Sequence, residues 1–153
     1  MNNRPPDKLL EQFASLTIWR LAEREAMRSP HKRHKTGAVI FYGMGGKSTI
    51  YSSGTAHPHD GGRRSYSVHA ETHAVSRLPP NHGGAVCLVV TLNKTGNYST
   101  CSRPCENCAN LLARHVWGTM YCEMTNTGTW VVRREPAENL LNGFLQKTKV
   151  NNE

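Results

Sequence analysis

The sequence predicts an α/β domain: one mixed β-sheet covered by helices. Three observations carry this. Apolar residues recur at helical spacing through the first thirty residues. Two pairs of β-rich stretches are each joined by a short glycine-containing turn. Between the pairs lies "AVCLVV" at 85–90, a continuous apolar run of strand length. The predicted order α-β-β-α-β-α-β-β-α leaves both hairpins in the same sheet. At 153 residues the chain fits one domain, 1–153, large enough to bury a core without staples. Residues 1–6 and 148–153 are expected to be flexible ends.

In order along the chain, Asp7 follows Pro5 and Pro6 as the expected N-cap. Leu10, Phe13, Thr17 and Leu21 then make 8–28 one amphipathic helix, ended by Ser29-Pro30. The basic run "HKRHK" at 31–35 follows. "GAVIFYG" and "KSTIYSSG" flank "MGG" as a hairpin, and "HPHDGGRR" at 57–64 reads as a loop. Residues 69–78 form a short helix with Ala70, Ala74 and Leu78 on one face. The 85–90 run is a strand buried on both faces, "NKTGNYST" a loop, and 105–115 a second short helix with Leu111 and Leu112. "TMYCEM" and "TWVVRRE" are joined only by "TNTG", too short for the crossover that parallel neighbours need, so this pair is antiparallel. Pro136 opens a last helix with Leu140, Leu141 and Phe144, before the frayed "TKVNNE".

The net charge of +8 gives a field that favours anions, nucleic acid or a nucleotide phosphate, unless it serves solubility alone. Five cysteines, odd in number and unevenly spaced, argue for a reducing compartment rather than a disulfide framework. No stretch has the roughly 20 apolar residues of a membrane span. "MNNRPPDK" has no apolar segment behind its charge, so no secretory signal is expected. The expected location is cytoplasmic, with no membrane partner.

Two motifs carry chemistry. "SVHAETHAV" at 67–75 places His69 two residues before Glu71, and "PCENC" at 104–108 places Cys105 and Cys108 three apart. Two thiolates at that spacing converge on one ion when they open a helix, whose first turn also lowers their pKa. His69 would complete a three-ligand set and leave a fourth position to water, the arrangement of catalytic zinc. The alternatives are a closed structural zinc site, for which Cys101 is the nearby fourth ligand, or a thiol pair without consequence. His73, at i+4 from His69, reads as a neighbour of the site or a surface residue rather than a ligand. Cys87 and Cys122 fall in predicted strands, where a free cysteine behaves as a small hydrophobe.

The set H-x-E…P-C-x-x-C resembles the zinc-dependent base deaminases. "TGAVIF" is similar to the first core strand of cytidine and deoxycytidylate deaminases, "VHAETHAV" to their H-A-E helix and "SRPCENCANLL" to their second zinc helix. The resemblance spans roughly residues 10–135. It implies a three-layer α-β-α, cytidine deaminase-like fold on a five-stranded mixed sheet. It also implies Zn²⁺ held by His69, Cys105 and Cys108, with Glu71 moving protons between water, ring nitrogen and leaving ammonia. Backbone N–H groups at Ala70 and Cys105 would face the substrate. Antiparallel last strands resemble cytidine deaminases and bacterial toxin deaminases; deoxycytidylate, AID/APOBEC-like and tRNA deaminases place a helix between them.

The chain departs from the family at "SGTAH". Where many relatives carry G-x-N, with the asparagine on the sugar, it has Gly54, Thr55 and Ala56; Thr55, His57 or His59 would have to substitute. The resemblance implies deamination of cytosine in a nucleoside or nucleotide, with Arg63, Arg64 and Arg103 as phosphate contacts and Pro104 at the mouth of the pocket. The alternative is a cytosine or adenine deaminase acting on single-stranded DNA or RNA, using the 31–35 run with Tyr66 or Trp117 for stacking. R-P-C at 103–105, where tRNA adenosine deaminases carry E-P-C, favours cytosine. A zinc-stabilised binding module is the third reading, and it has no use for Glu71. A homo-oligomer is compatible with each.

Overall fold

Strand residues that alternate between two apolar faces dictate a sheet with a helical layer on each side, and this is the architecture of the computed structural model. The structure describes residues 3–31, 34–43, 48–58, 67–80, 84–101, 104 and 106–136. Its elements are α1 (Asp7–Leu10), α2 (Leu16–Met27), β1 (Lys35–Tyr42), β2 (Thr49–Thr55), β3 (His57–Pro58), β4 (Ser67–Val68), α3 (Ala70–Ser76), β5 (Val86–Leu92), α4 (Glu106–His115), β6 (Gly118–Met124) and β7 (Trp130–Pro136). The main sheet has the order β2-β1-β5-β6-β7. β1 is antiparallel to both β2 and β5, β5 is parallel to β6, and β6 is antiparallel to β7. The mixed five-stranded sheet and the antiparallel last pair are therefore as the sequence predicts. No helix interrupts 120–132, and the β6–β7 turn closes with Thr125 N–H donating to Thr129 O at 2.9 Å and Gly128 at φ +80°.

β5 separates two cores. Val86, Leu88, Val90 and Leu92 join Leu10, Ile18, Trp19, Ala22 and Ala26 on one side, while Cys87 and Val89 join Ala70, Ala74, Leu112 and Val116 on the other. α1 and α2 thus cover one face, and α3 and α4 the other. Two glycines set how closely the helices lie. A Cβ on Gly37 would stand 2.2 Å from the Ala22 carbonyl oxygen of α2, and one on Gly54 would stand 2.3 Å from the Ala70 carbonyl oxygen of α3. Adjacent strands thereby admit a backbone-to-backbone approach on opposite faces.

The predicted helix 8–28 is two helices. Ser15, in an extended conformation, accepts a hydrogen bond from Thr17 N–H at 3.2 Å and caps α2 afresh. The break lets Leu10 turn inward, where its carbonyl accepts from Trp19 Nε1 at 2.9 Å. Asp7 is not the cap of α1. Pro6 is, and Asp7 lies in the first turn, 3.0 Å from Arg20. The chain before α1 is anchored from Asn3 on: Asn3 O accepts from Tyr98 N–H at 2.9 Å, and Arg4 pairs with Glu23 at 2.9 Å. Glu23 also accepts from Arg20 and from the Tyr98 hydroxyl. Burial first, and then the charge of Glu23, push the Tyr98 hydroxyl far up, so it stays a donor.

The predicted loop at 57–64 begins with strand instead, since His57–Pro58 pairs with Ser67–Val68 in a small second sheet. The predicted last helix with Leu140, Leu141 and Phe144, and the tail 148–153, lie outside the described residues.

Gly37→Ala should lower the unfolding free energy by about 1–3 kcal/mol, because the added methyl meets helix backbone rather than a movable side chain. The shift would appear in the urea midpoint with the slope unchanged.

Candidate metal centre

β2, β5 and β6 run in the same direction, because β1 is antiparallel to β2 and β5 alike. α3 and α4 each follow one of these parallel strands and begin beyond its carboxyl end, where α/β sheets collect their ligands. His69 is the N-cap of α3, at φ −69° and ψ 149°, with no side-chain cap bond of its own, so its ring is not folded back on the helix start. Cys108 lies buried in the first turn of α4. The two helices bring His69 Nδ1 to 3.2 Å from Cys108 Sγ.

Glu71 belongs to the same short helix and is 4% exposed. The thiol of Cys87, on β5, is pushed well up, first by burial and second by the charge of Glu71. Cys87 belongs with Ala70, Ala74 and Val89 to the buried apolar layer on this face of the sheet. A buried carboxylate costs free energy unless it is used or paired.

The donor chemistry fits a zinc ion. Zinc–nitrogen and zinc–sulfur bonds of about 2.0–2.1 and 2.3 Å place two tetrahedral donors about 3.6 Å apart, and the observed 3.2 Å is a few tenths shorter. Cys105 lies outside the described residues; among the described ones, no three His, Cys, Asp or Glu side chains converge. Cys101 does not join the pair: it is exposed, and its backbone bridges to Glu123. His73 accepts the Thr55 N–H at Nδ1, 3.1 Å away.

The chain path has close counterparts among solved structures. Cytidine deaminase from Mycobacterium tuberculosis is 16% identical, with a TM-score of 0.54 over 82% of this chain and 92% of that one. Cytidine deaminase from Mycobacterium leprae is 22% identical, with a TM-score of 0.52 over 82% and 94%. Cytidine deaminase from Burkholderia pseudomallei is 15% identical, with a TM-score of 0.55 over the same shares. This is the cytidine deaminase-like fold. No protein-family model matches the sequence, and no curated protein matches it.

The remaining candidates divide. Ala70 and Pro104 are both buried. Arg63, Arg64 and Arg103 lie outside the described residues, as do His59 and Tyr66. Thr55 is directed elsewhere than expected: along β2, Gly54 and Ala56 face α3, while the Thr55 hydroxyl faces α2 and donates to Glu25. Its side chain is therefore on the opposite side of the sheet from His69. Trp117 is also misplaced for stacking at the centre. It sits at the start of β6, its N–H bonded to Ala85 O, with the Arg134 guanidinium 5.8 Å above its ring. That is the end of the sheet away from the starts of α3 and α4. Of the basic run, Lys35 donates to Ser29 O, tying down its ammonium.

The sequence reading missed the contacts that seat α3: Thr55 to His73, Arg77 Nη1 to Ser53 O at 3.2 Å, and Ser52 Oγ to Ala74 O at 2.8 Å. The signal for them is a helix whose positions 73 and 77 recur on one side, following a strand with serine and threonine at 52, 53 and 55.

Thiol chemistry should report this layout. Cys122 is pushed up to about 12, mainly by burial and then by Glu23, and Cys87 is raised well above its ordinary value. Both stay protonated at neutral pH and unreactive. Alkylation of the native chain at pH 8, followed by mass spectrometry, should mark exposed Cys101 first and leave Cys87 and Cys122 unlabelled until denaturant is added.

Proposed function

We propose that the chain, as one domain over 1–153, is a zinc-dependent hydrolytic deaminase that converts cytosine to uracil in a nucleoside or nucleotide. The observation that supports this most directly is the 3.2 Å approach of His69 Nδ1 to Cys108 Sγ, with buried Glu71 on the same helix as His69. The named relatives of this fold being cytidine deaminases points the same way. His69, Cys105 and Cys108 would hold the ion. When bound, it supplies a Lewis acid that lowers the pKa of a water to near neutrality.

Glu71 then does the proton work. It takes a proton from water as the water oxygen bonds to C4 of the base, and delivers that proton to N3. A second proton moves from the new C4 hydroxyl through Glu71 to the amino group. The C4–N bond breaks, ammonia leaves, and the C4 carbonyl of uracil remains. Ala70 and Pro104, both buried, would shape the wall against which the flat base lies. Ala56 offers no amide to a sugar, so recognition would rest on the base and on Arg63, Arg64 and Arg103 toward any phosphate. No helix among the described residues is long and apolar enough to cross a membrane. The odd cysteine count fits a reducing compartment.

The test is ammonia release from cytidine, deoxycytidine, their monophosphates and a single-stranded oligonucleotide, assayed side by side with zinc content. One zinc per chain is expected, with turnover on a free nucleoside or nucleotide. Glu71→Ala should keep the zinc yet lose on the order of 10²–10⁴ in rate. Cys108→Ser should lose the metal and some stability, since metal binding is coupled to folding. Wild-type turnover in the Glu71→Ala chain would rule out this mechanism. Turnover of the oligonucleotide alone would move the substrate to nucleic acid.

A further inference from the structure

α3 has seven residues, too few to hold itself as a helix in water, so its placement is imposed from outside. It lies along β2, the edge strand of the sheet. The outward-facing groups of that edge are met from the helix: Thr55 N–H by His73 Nδ1 at 3.1 Å and Ser53 O by Arg77 Nη1 at 3.2 Å. Thr55 is gripped from the other side as well. Its hydroxyl donates to Glu25 Oε2, while Ser53 Oγ donates to Glu25 Oε1 at 3.3 Å. Glu25 is buried on α2 and paired with Arg28 at 3.2 Å. One residue of β2 thus links the two helical layers, through its side chain on one face and its amide at the edge.

His73 is one turn beyond His69, and its own N–H donates to the His69 carbonyl at 3.0 Å. Rotation of α3 about its axis would carry His69 and Glu71 together. Gly54 permits the close approach, and the Thr55–His73 bond selects one rotation within it.

We propose that His73 is a positioning residue for the metal centre: by accepting the edge amide of Thr55, anchored in turn by Glu25, it fixes the rotation of α3 and so aims His69 and Glu71. This rests on the zinc reading given above. The role needs an acceptor at the reach of Nδ1. Glutamine can supply one through Oε1, whereas leucine fills similar space and cannot. Because the edge amide can turn to water when the bond is lost, the global cost is small. The local cost falls on geometry, where a displacement of about 1 Å can lower a rate about 10²-fold.

The experiment compares the wild-type chain, His73→Leu and His73→Gln, each loaded with Co²⁺ in place of zinc. Three quantities are read: the thiolate-to-cobalt and d–d absorption bands, the cobalt dissociation constant against a chelator, and the urea midpoint of the metal-free protein. His73→Leu should keep the urea midpoint, shift the d–d bands and weaken cobalt binding about 10–100-fold. It should lower kcat on the best substrate with KM little changed, and His73→Gln should restore all of these. A wild-type spectrum and affinity in the leucine chain, or equal impairment in the glutamine chain, would overturn the positioning role alone. Absence of a thiolate band in the wild-type chain would overturn the metal centre, and the proposal with it. If the leucine chain fails to fold, His73→Met, which also lacks a good acceptor, reads the same bond: shifted bands that His73→Gln restores support it, and wild-type bands and affinity in the methionine chain overturn it.

Discussion

The candidate centre depends on one constraint, the backbone contact between α3 and β2 at Gly54. A side chain there would meet the Ala70 carbonyl oxygen and the Ala74 amide at 2.3 and 2.5 Å, so any residue but glycine lifts the helix off the sheet. Ala70 and Ala74 are completely buried because the helix lies this low. Glu71, between them in sequence, is carried down with them and is buried as well. With bulkier residues at 54, 70 or 74, His69 would stand further from Cys108. The small residues on these two elements thus set how closely His69 and Cys108 approach, and do more than pack.

The same approach recurs at Gly37 on the opposite face, where α2 comes down on β1. Gly37 pairs with Thr55 across the β1–β2 ladder, and Thr55 in turn reaches Glu25 of α2. The two close approaches therefore meet at neighbouring positions of one hairpin. Packing energy from the larger core, with Trp19, Leu10 and Ile18 fully buried, supports the hairpin from below. The thinner layer of alanines, with Leu112 and Val116, covers the face that holds the site. A small-residue layer gives up apolar burial, at about 25 cal/mol per Å², in exchange for bringing polar groups close to backbone.

What was legible in the sequence follows the strength of each local signal. β5 is evident because six apolar residues in a row have no amphipathic alternative, and the β6–β7 hairpin because "TNTG" leaves no room for a crossover. The pairing of His69 with Cys108 follows from motif chemistry at a separation of 39 residues. The break between α1 and α2 was hidden because Leu10, Phe13 and Thr17 keep helical spacing across it; the capping hydroxyl of Ser15 overrides periodicity. Thr55 was misassigned because a substrate-facing position and a helix-facing position differ by one residue on a strand, and only register decides between them. His73 was legible as a neighbour of the site, but its partner, a backbone amide, leaves no mark in a sequence.

Charge placement bears on what the surface is for. Net charge alone suggests a polyanion partner. Yet several described carboxylates are engaged within the fold: Asp7 and Glu23 bind Arg4 and Arg20, Glu25 binds Thr55 and Arg28, Glu71 is buried, and Glu123 pairs with Arg133. Several serve to fasten the N-terminal stretch, α2 and the hairpin together. Arg4, Arg20 and Lys35 are likewise engaged within the fold, the last through the Ser29 carbonyl. The one described cation–aromatic pair, Arg134 on Trp117, lies at the end of the sheet away from the candidate centre. A single strand requires phosphate contacts and stacking faces in succession, and Arg4, Arg20 and Lys35, held to Glu23, Asp7 and the Ser29 carbonyl, would reach such a strand only by giving up partners within the fold.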